Sequence, residues 1–426
     1  MTIEDLYDHF LASSGVCTDT RKITPNCLFF ALTGDKFNGN TFAQEAIAQG
    51  AAYAIIDQEA YADSNGKTIL VANVLHTLQQ LSKHHRTQLA IPVIALTGSN
   101  GKTTTKELIY CVLSRSYRVT TTQGNLNNHI GVPLTLLSFT NQTQLGLVEM
   151  GANHQQEIQF LCSLALPDYG YITNYGKAHL EGFGGMEGVI KGKSELYKHL
   201  GANQKTCFVN ANDPIQLEQS EGLKRIALDK TYNNTPITVI KTNPEISLEV
   251  GELTINSALL GAYNAKNIIA AIGIGAYFKV PLEEIKNGIQ GYIPSNNRSQ
   301  WKSTPRNKLL LDAYNANPSS MKAALENFAT YDLEKQTTVI LGDMFEVGPT
   351  APEEHQAIAD LAIALNFNNI YLVGENFYNT QTPPEVKKCR EFEDLLVAVQ
   401  SKEVLQHNIL IKGSRGMALE RITDYL

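Results

Sequence analysis

Short apolar runs recur along the chain, each closed by a glycine or a polar turn, and many lead into segments of helical period. Cys27–Leu32 reads as a buried strand, Thr41–Gln49 as a helix stopped at Gly50, and Ala51–Asp57 as the next strand. Ile91–Leu96 is a further strand, followed by a glycine turn and a helix through Lys106–Leu113. Leu145–Gly151 and Tyr169–Asn174 read as strands, Gly188–Tyr197 begins a helix, and Ile268–Ile272 lies in an apolar helix. Beyond residue 300, strands are expected at Leu309–Asp312, Thr338–Leu341, Ile370–Val373 and Ile409–Lys412, each followed by a polar or glycine-rich turn. Repeated strand–helix units predict an α/β protein whose sheets are parallel and doubly wound, with ligands at the carboxyl ends of the strands. The divisions drawn are a small α/β unit over 1–90, a central unit over 91–292 and a Rossmann-like unit over 293–426.

Composition narrows the class. The chain has 426 residues, enough for two or three domains with cores of their own. Its net charge of −7 argues against a nucleic-acid-binding face. The six cysteines are scattered without a Cys-x-x-Cys pair, which suits reduced core thiols. The first residues are acidic and lack an apolar signal core, and no uninterrupted apolar stretch is long enough to span a bilayer, so a cytoplasmic protein is expected.

The chemistry centres on Gly98, Ser99, Asn100, Gly101, Lys102, Thr103 and Thr104, set between a strand and a helix. A helix N-terminus reached through a glycine turn presents free amides and a positive dipole end to an anion. Lys102 adds a cation for outer phosphates, and the Thr103 hydroxyl suits Mg²⁺. The full phosphate-loop pattern asks for glycine where this chain has Leu96, so the match is the shorter Gly-x-x-Gly-Lys-Thr. Glu149, ending an apolar strand, stands where a Mg²⁺-binding acid is expected after such a loop; an exposed strand-end carboxylate is the plain alternative.

Other candidates stay open on residue chemistry alone. Asp19 and Arg21 could hold a uracil edge or phosphate, or form a surface ion pair. Thr120–Pro133, rich in asparagine, is a solvated loop or a ligand-binding one. His179 sits in a glycine-rich loop as a ligand, a base or neither, and the lysines near Lys193 read most simply as a solvated helix face. Asn264 and Asn267, three apart, could cap a helix or read an adenine edge.

Taken together, these strings resemble the Mur ligases, the ATP-dependent amide-forming enzymes of peptidoglycan assembly, over nearly the whole chain. Gly98–Thr104 is similar to the family's nucleotide loop, and Glu149, Asn174 with His179, and Asn264 with Asn267 fall in family order. Asp312–Met321, Leu341–Met344, Lys412–Arg415 and Asn125–Pro133 resemble the member that joins D-Ala-D-Ala to UDP-MurNAc-tripeptide. Thr20, His129 and Tyr263 depart from the family's usual residues, and Ser295–Arg298 lacks its glycine before the arginine.

The resemblance implies three domains and a reaction through an acyl phosphate, with catalytic roles for Lys102, His179 and Lys193. Asn267, Arg298, Asp312 and Tyr314 would join the loop in holding ATP. Thr103 and Glu149 would serve one Mg²⁺, and His179 a second, with Lys193 if it is carbamylated. Asp19, Thr20, Arg21, Asn127 and Asn128 would touch the UDP-linked substrate, and Asn315, Asn317, Lys412, Ser414 and Arg415 the dipeptide. A monomer is expected. The rivals are a sister ligase or folylpolyglutamate-type enzyme adding one amino acid, a phosphate-loop motor or switch ATPase, and a non-catalytic binding protein.

Overall fold

The computed structural model describes residues 1–228, 231–294, 298–331, 336–400 and 404–426. The first unit is a parallel sheet of four short strands in the order Val16–Cys17, Leu28–Phe30, Tyr53–Ile56, Thr68–Leu70. Helix Val74–Leu89 packs Leu78 and Leu81 into its core. The far end of that helix belongs to its neighbour. Arg86, nearly buried, donates to the carbonyls of Ala165 (2.9 Å) and Leu166 (3.0 Å) and pairs with Asp168 at 2.9 Å. A buried guanidinium is tolerated only with such full pairing, so this contact fixes how the first unit sits on the second.

The central unit holds six parallel strands in the order Arg225–Ala227, Thr206–Val209, Tyr169–Ile172, Val93–Thr97, Leu145–Glu149, Val119–Thr121. Val93–Thr97 and Leu145–Glu149 are buried throughout, as a sheet covered on both faces demands, and this is why their apolar runs are continuous. A second sheet in this unit has no counterpart in the strands expected from the sequence. Thr231–Tyr232, Thr235–Lys241, Glu245–Val250 and Leu253–Leu260 form an antiparallel meander. Only one of its faces is apolar: Ile246, Leu248 and Val250 turn inward and share a core with Ile268 and Ile272 of helix Tyr263–Tyr277. Alternation of that kind gives no continuous apolar run to notice.

The last unit has six strands in the order Gln300–Ser303, Lys308–Leu311, Asn408–Lys412, Thr337–Gly342, Asn369–Val373, Lys387–Cys389. All neighbours run parallel except the first pair, so the doubly wound sheet carries one antiparallel edge strand. The departure from the family noted at Ser295–Asn297 lies outside the described residues. Among the described residues no helix is long and apolar enough to cross a membrane.

Candidate active site

The loop after Val93–Thr97 is shaped by two glycines. Gly98 adopts φ 141°, and a Cβ there would stand 2.0 Å from Thr173 Oγ1, so only glycine fits. Gly101, at φ 76°, precedes helix Lys102–Leu113, whose first amides have no partner within the helix. The adjacent strand end clamps the loop. Asn174 accepts from the Asn100 amide (3.1 Å) and donates to its carbonyl (2.9 Å), and Thr173 Oγ1 donates to the same carbonyl at 2.7 Å. Asn174, placed by order alone in the sequence, is thus a loop holder. Lys102 arches back, its Nζ donating to the carbonyls of Gly98 (2.8 Å) and Ser99 (3.2 Å). Burial pushes its pKa down; Glu149 opposes this and Arg298 adds to it.

Glu149 is 1% exposed. One carboxylate oxygen accepts from Asn127 Nδ2 (2.8 Å) and Thr103 Oγ1 (3.3 Å), whereas Oε2 is buried without a hydrogen-bond partner. An unpartnered buried carboxylate oxygen is costly, and its chemistry suits a hard cation. Thr103 and Glu149 therefore fit a Mg²⁺ ion. Among the described residues no group of three His, Cys, Asp or Glu side chains forms a ready-made cage. Mg²⁺ commonly binds instead through one or two carboxylates with water and substrate phosphates. Asn127 faces Glu149, while Asn128 is engaged locally, its side-chain oxygen accepting from the amides of Ile130 (3.1 Å) and Gly131 (2.9 Å).

His179 adopts φ 53° just before the short helix Leu180–Phe183, and its Nδ1 bonds the Glu346 carboxylate of the last unit. Burial, then Lys102, lowers its pKa, while Glu346 and its hydrogen bond work the other way. Lys193, read from sequence as part of a solvated face, is fully buried at the end of helix Met186–Lys193. Its Nζ donates to the Ala152 carbonyl (2.9 Å) and lies 4.8 Å from the centre of the Phe183 ring. Burial and Lys102 hold its pKa well below the usual lysine value against Glu157 and Glu195.

Asn264 and Asn267 do not cap their helix. Asn264 donates to the Leu260 carbonyl (2.7 Å) and receives a bond from Asn267 (2.8 Å), which sits beneath Gly101. From the last unit, Arg298 stacks on Tyr314 at 3.6 Å, with Arg415 5.0 Å from the same ring centre. Lys412 is engaged in an ion pair with Asp312 at 2.7 Å, and Ser414 Oγ accepts from the Phe345 amide at 2.8 Å. Asn317 Nδ2 donates to Asn100 Oδ1 at 2.7 Å, reaching the phosphate loop directly.

These residues converge on one cleft of about 960 Å³, lined among others by the loop from Ser99 to Thr104, Asn127, Asn128, Glu149, His179, Asn264, Asn267, Arg298, Asp312, Tyr314, Asn315, Asn317 and Lys412. Lys193, Ser414 and Arg415 stand outside that lining, as do Asp19, Thr20 and Arg21. On the first unit, Asp19 and Arg21 pair at 2.8 Å, and the guanidinium's hydrogen bonds bring the Asp19 pKa down to about 2. Sequence reasoning missed Asp213 and Lys266, which also line the cleft. Asp213 was recognisable only as a helix N-cap, which it is, and Lys266 as one of many lysines.

Comparison with known proteins agrees with this geometry. Models of the Mur ligase family match in three segments: the catalytic domain model over 13–86, the middle domain over 96–275 and the glutamate ligase domain over 297–415. The UDP-N-acetylmuramoyl-tripeptide–D-alanyl-D-alanine ligase of Bacillus subtilis is 34% identical over 424 residues, covering 97% of this chain and 93% of that protein. The Escherichia coli enzyme of the same name is 33% identical, covering 96% and 93%. A crystal structure of MurF from Acinetobacter baumannii superposes with a TM-score of 0.84 at 28% identity, covering 99% of this chain and 98% of that one. Thermotoga maritima MurF, in complex with ADP, shares the fold with a TM-score of 0.82 at 21% identity. The chain belongs to the Mur ligase family.

Proposed function

We propose that this chain joins D-Ala-D-Ala to UDP-MurNAc-tripeptide at the expense of ATP, giving UDP-MurNAc-pentapeptide, ADP and phosphate for peptidoglycan synthesis. The observation that carries the reading is a single cleft in which the phosphate loop, the half-partnered carboxylate of Glu149 and polar strand ends of the last unit face one another. Relatives named for this reaction match over almost the full chain.

A carboxylate is a poor electrophile, and phosphoryl transfer from ATP turns it into an acyl phosphate. The dipeptide's amine then attacks the acyl carbon, the tetrahedral intermediate expels phosphate, and the nitrogen loses a proton as the amide forms. Bringing two anions together requires positive charge, which the loop amides and Lys102 provide. Thr103 and Glu149 would hold one Mg²⁺, and His179 with a carbamylated Lys193 a second; such ions neutralise charge on the phosphate oxygens. Lys193 suits that modification because burial favours its uncharged amine, the form that adds CO₂. Asn267, Arg298, Asp312 and Tyr314 hold the nucleotide. Lys412 is paired with Asp312, so Arg415, 5.0 Å from the centre of the cleft-lining Tyr314 ring, would take the dipeptide's carboxylate, with Asn315, Asn317 and Ser414 as further contacts. Asp19, Thr20 and Arg21 anchor the UDP end from the first unit. ATP and a UDP-linked sugar are cytoplasmic compounds, which places the reaction there.

The test is phosphate release from ATP against a panel of acceptors. Release should need both UDP-MurNAc-tripeptide and D-Ala-D-Ala, with little from D-Ala, L-Ala, D-Glu or diaminopimelate. Robust turnover with one of those alone would reassign the chain to a sister step, and release with ATP alone would make it an ATPase.

A further inference from the structure

We infer that Glu346, carried by the last unit, is the positioning residue for His179 of the central unit, so that the imidazole is aimed into the cleft only when the two units are docked. His179 lines the cleft and Glu346 does not; the carboxylate stands behind the ring and bonds Nδ1. A ring nitrogen facing a carboxylate carries the proton, which leaves the Nε2 lone pair for the cleft. Backbone geometry makes the pairing specific. Both residues are non-glycines at positive φ, 53° for His179 and 58° for Glu346, so neither is in a conformation its chain would choose freely.

The loop that carries Glu346 is held by its own unit. Beneath Glu346, the Asp343 carboxylate accepts from the amides of Asn376 and Phe377, both at 2.9 Å. The Met344 amide donates to His355 Nε2 (2.9 Å), and the Phe345 amide to Ser414 Oγ (2.8 Å). The Asp343 and Ser414 side chains thus serve the loop that presents Glu346. Across the interface the Glu181 amide donates to the Glu346 carbonyl (3.2 Å), the Lys177 amide to Ser319 Oγ (2.9 Å), and Lys177 Nζ pairs with Glu354 at 2.5 Å. These contacts join the two units around one histidine. Separation of the units would remove its carboxylate and free the ring to rotate, so the site is complete only after closure.

The activity arm of the test rests on the ligase reading; the spectroscopic arm does not. Glu346 is half exposed, so its variants should fold. Glu346→Ala should lower kcat about 10–100-fold, the range typical when a group that orients a metal-ligating histidine is lost. The KM values for ATP and D-Ala-D-Ala should stay within roughly threefold. Glu346→Gln, whose amide oxygen can still accept a hydrogen bond from Nδ1–H, should retain more turnover than the alanine variant. In the ¹⁵N-histidine-labelled full chain, the His179 signal (assigned by its loss in His179→Gln) should show the Nδ1–H tautomer, and Glu346→Ala should shift it toward Nε2–H. Unchanged His179 resonances in Glu346→Ala, or a kcat within twofold of the parent, would overturn the inference. If the parent itself releases no phosphate with the two substrates, the ligase reading fails, and the tautomer measurement alone decides the role of Glu346.

Discussion

Replacing Lys193 by methionine separates the two things a buried lysine can do. The substitution keeps the length of the apolar stem in its fully buried slot and removes only the amine. It forfeits one hydrogen bond, to the Ala152 carbonyl, worth about 0.5–1.5 kcal/mol. In exchange the fold no longer has to desolvate an amine whose pKa it holds well below the ordinary value. The sign of the pH dependence follows. Between the lowered folded pKa and the unfolded value of about 10.4, the unfolded chain binds one more proton than the folded one. The parent's stability should therefore rise with pH across that window, by about 1.4 kcal/mol per pH unit from this residue, and the methionine variant should lack that contribution. As pH rises through that window the parent should gain stability on the variant. Urea unfolding of both proteins in CO₂-free buffer, without nucleotide, measures the difference. Parallel stability–pH curves would mean that Lys193 is charged in the folded protein and is not the neutral amine that CO₂ requires. If Lys193 matters only as packing, the methionine variant would also keep full phosphate release; a loss of at least tenfold is expected.

Glu149→Gln should stabilise the nucleotide-free and Mg²⁺-free protein by about 0.5–2 kcal/mol, since it removes a buried carboxylate whose second oxygen has no hydrogen-bond partner, while phosphate release collapses. A lower melting temperature for this variant would count against an unpaired Glu149 oxygen. Lys102→Ala should reduce turnover by about 10²–10³-fold while weakening nucleotide binding far less, as expected of a group that meets charge developing on the phosphoryl group. Titration calorimetry with a non-hydrolysable ATP analogue beside steady-state rates checks this, and turnover within a few-fold of the parent would remove Lys102 from the mechanism. Gly98→Ala should weaken ATP binding, because the loop must abandon φ 141° and retreat from Thr173, whose backbone nitrogen would lie 3.0 Å from the new Cβ. A cost of about 1–3 kcal/mol is expected, and unchanged affinity would show that the loop can reshape freely.

The strands that position the site were legible because both their faces are buried. Val93–Thr97, Leu145–Glu149, Tyr169–Ile172, Thr337–Gly342, Asn369–Val373 and Asn408–Lys412 all lie on runs expected from the sequence, and continuous burial writes itself as a continuous apolar run. Local rules likewise determined the phosphate loop: a strand, two glycines and a helix start need only neighbouring residues to form. The antiparallel sheet over Thr231–Leu260 escaped because its apolar residues alternate with polar ones on a face that only packing against another element defines. Tertiary structure alone decided which side chains were free to act. On residue chemistry alone Lys193 and the other lysines of its segment read alike, and only the family resemblance singled it out; burial, set by distant elements, is what separates Lys193 from its exposed neighbour Lys191. Lys412 and Arg415 read as a basic pair, and Asp312, a hundred residues away, claims Lys412. Glu346 carried no local signal, because its meaning lies in His179, which belongs to another unit and meets it only across the folded interface.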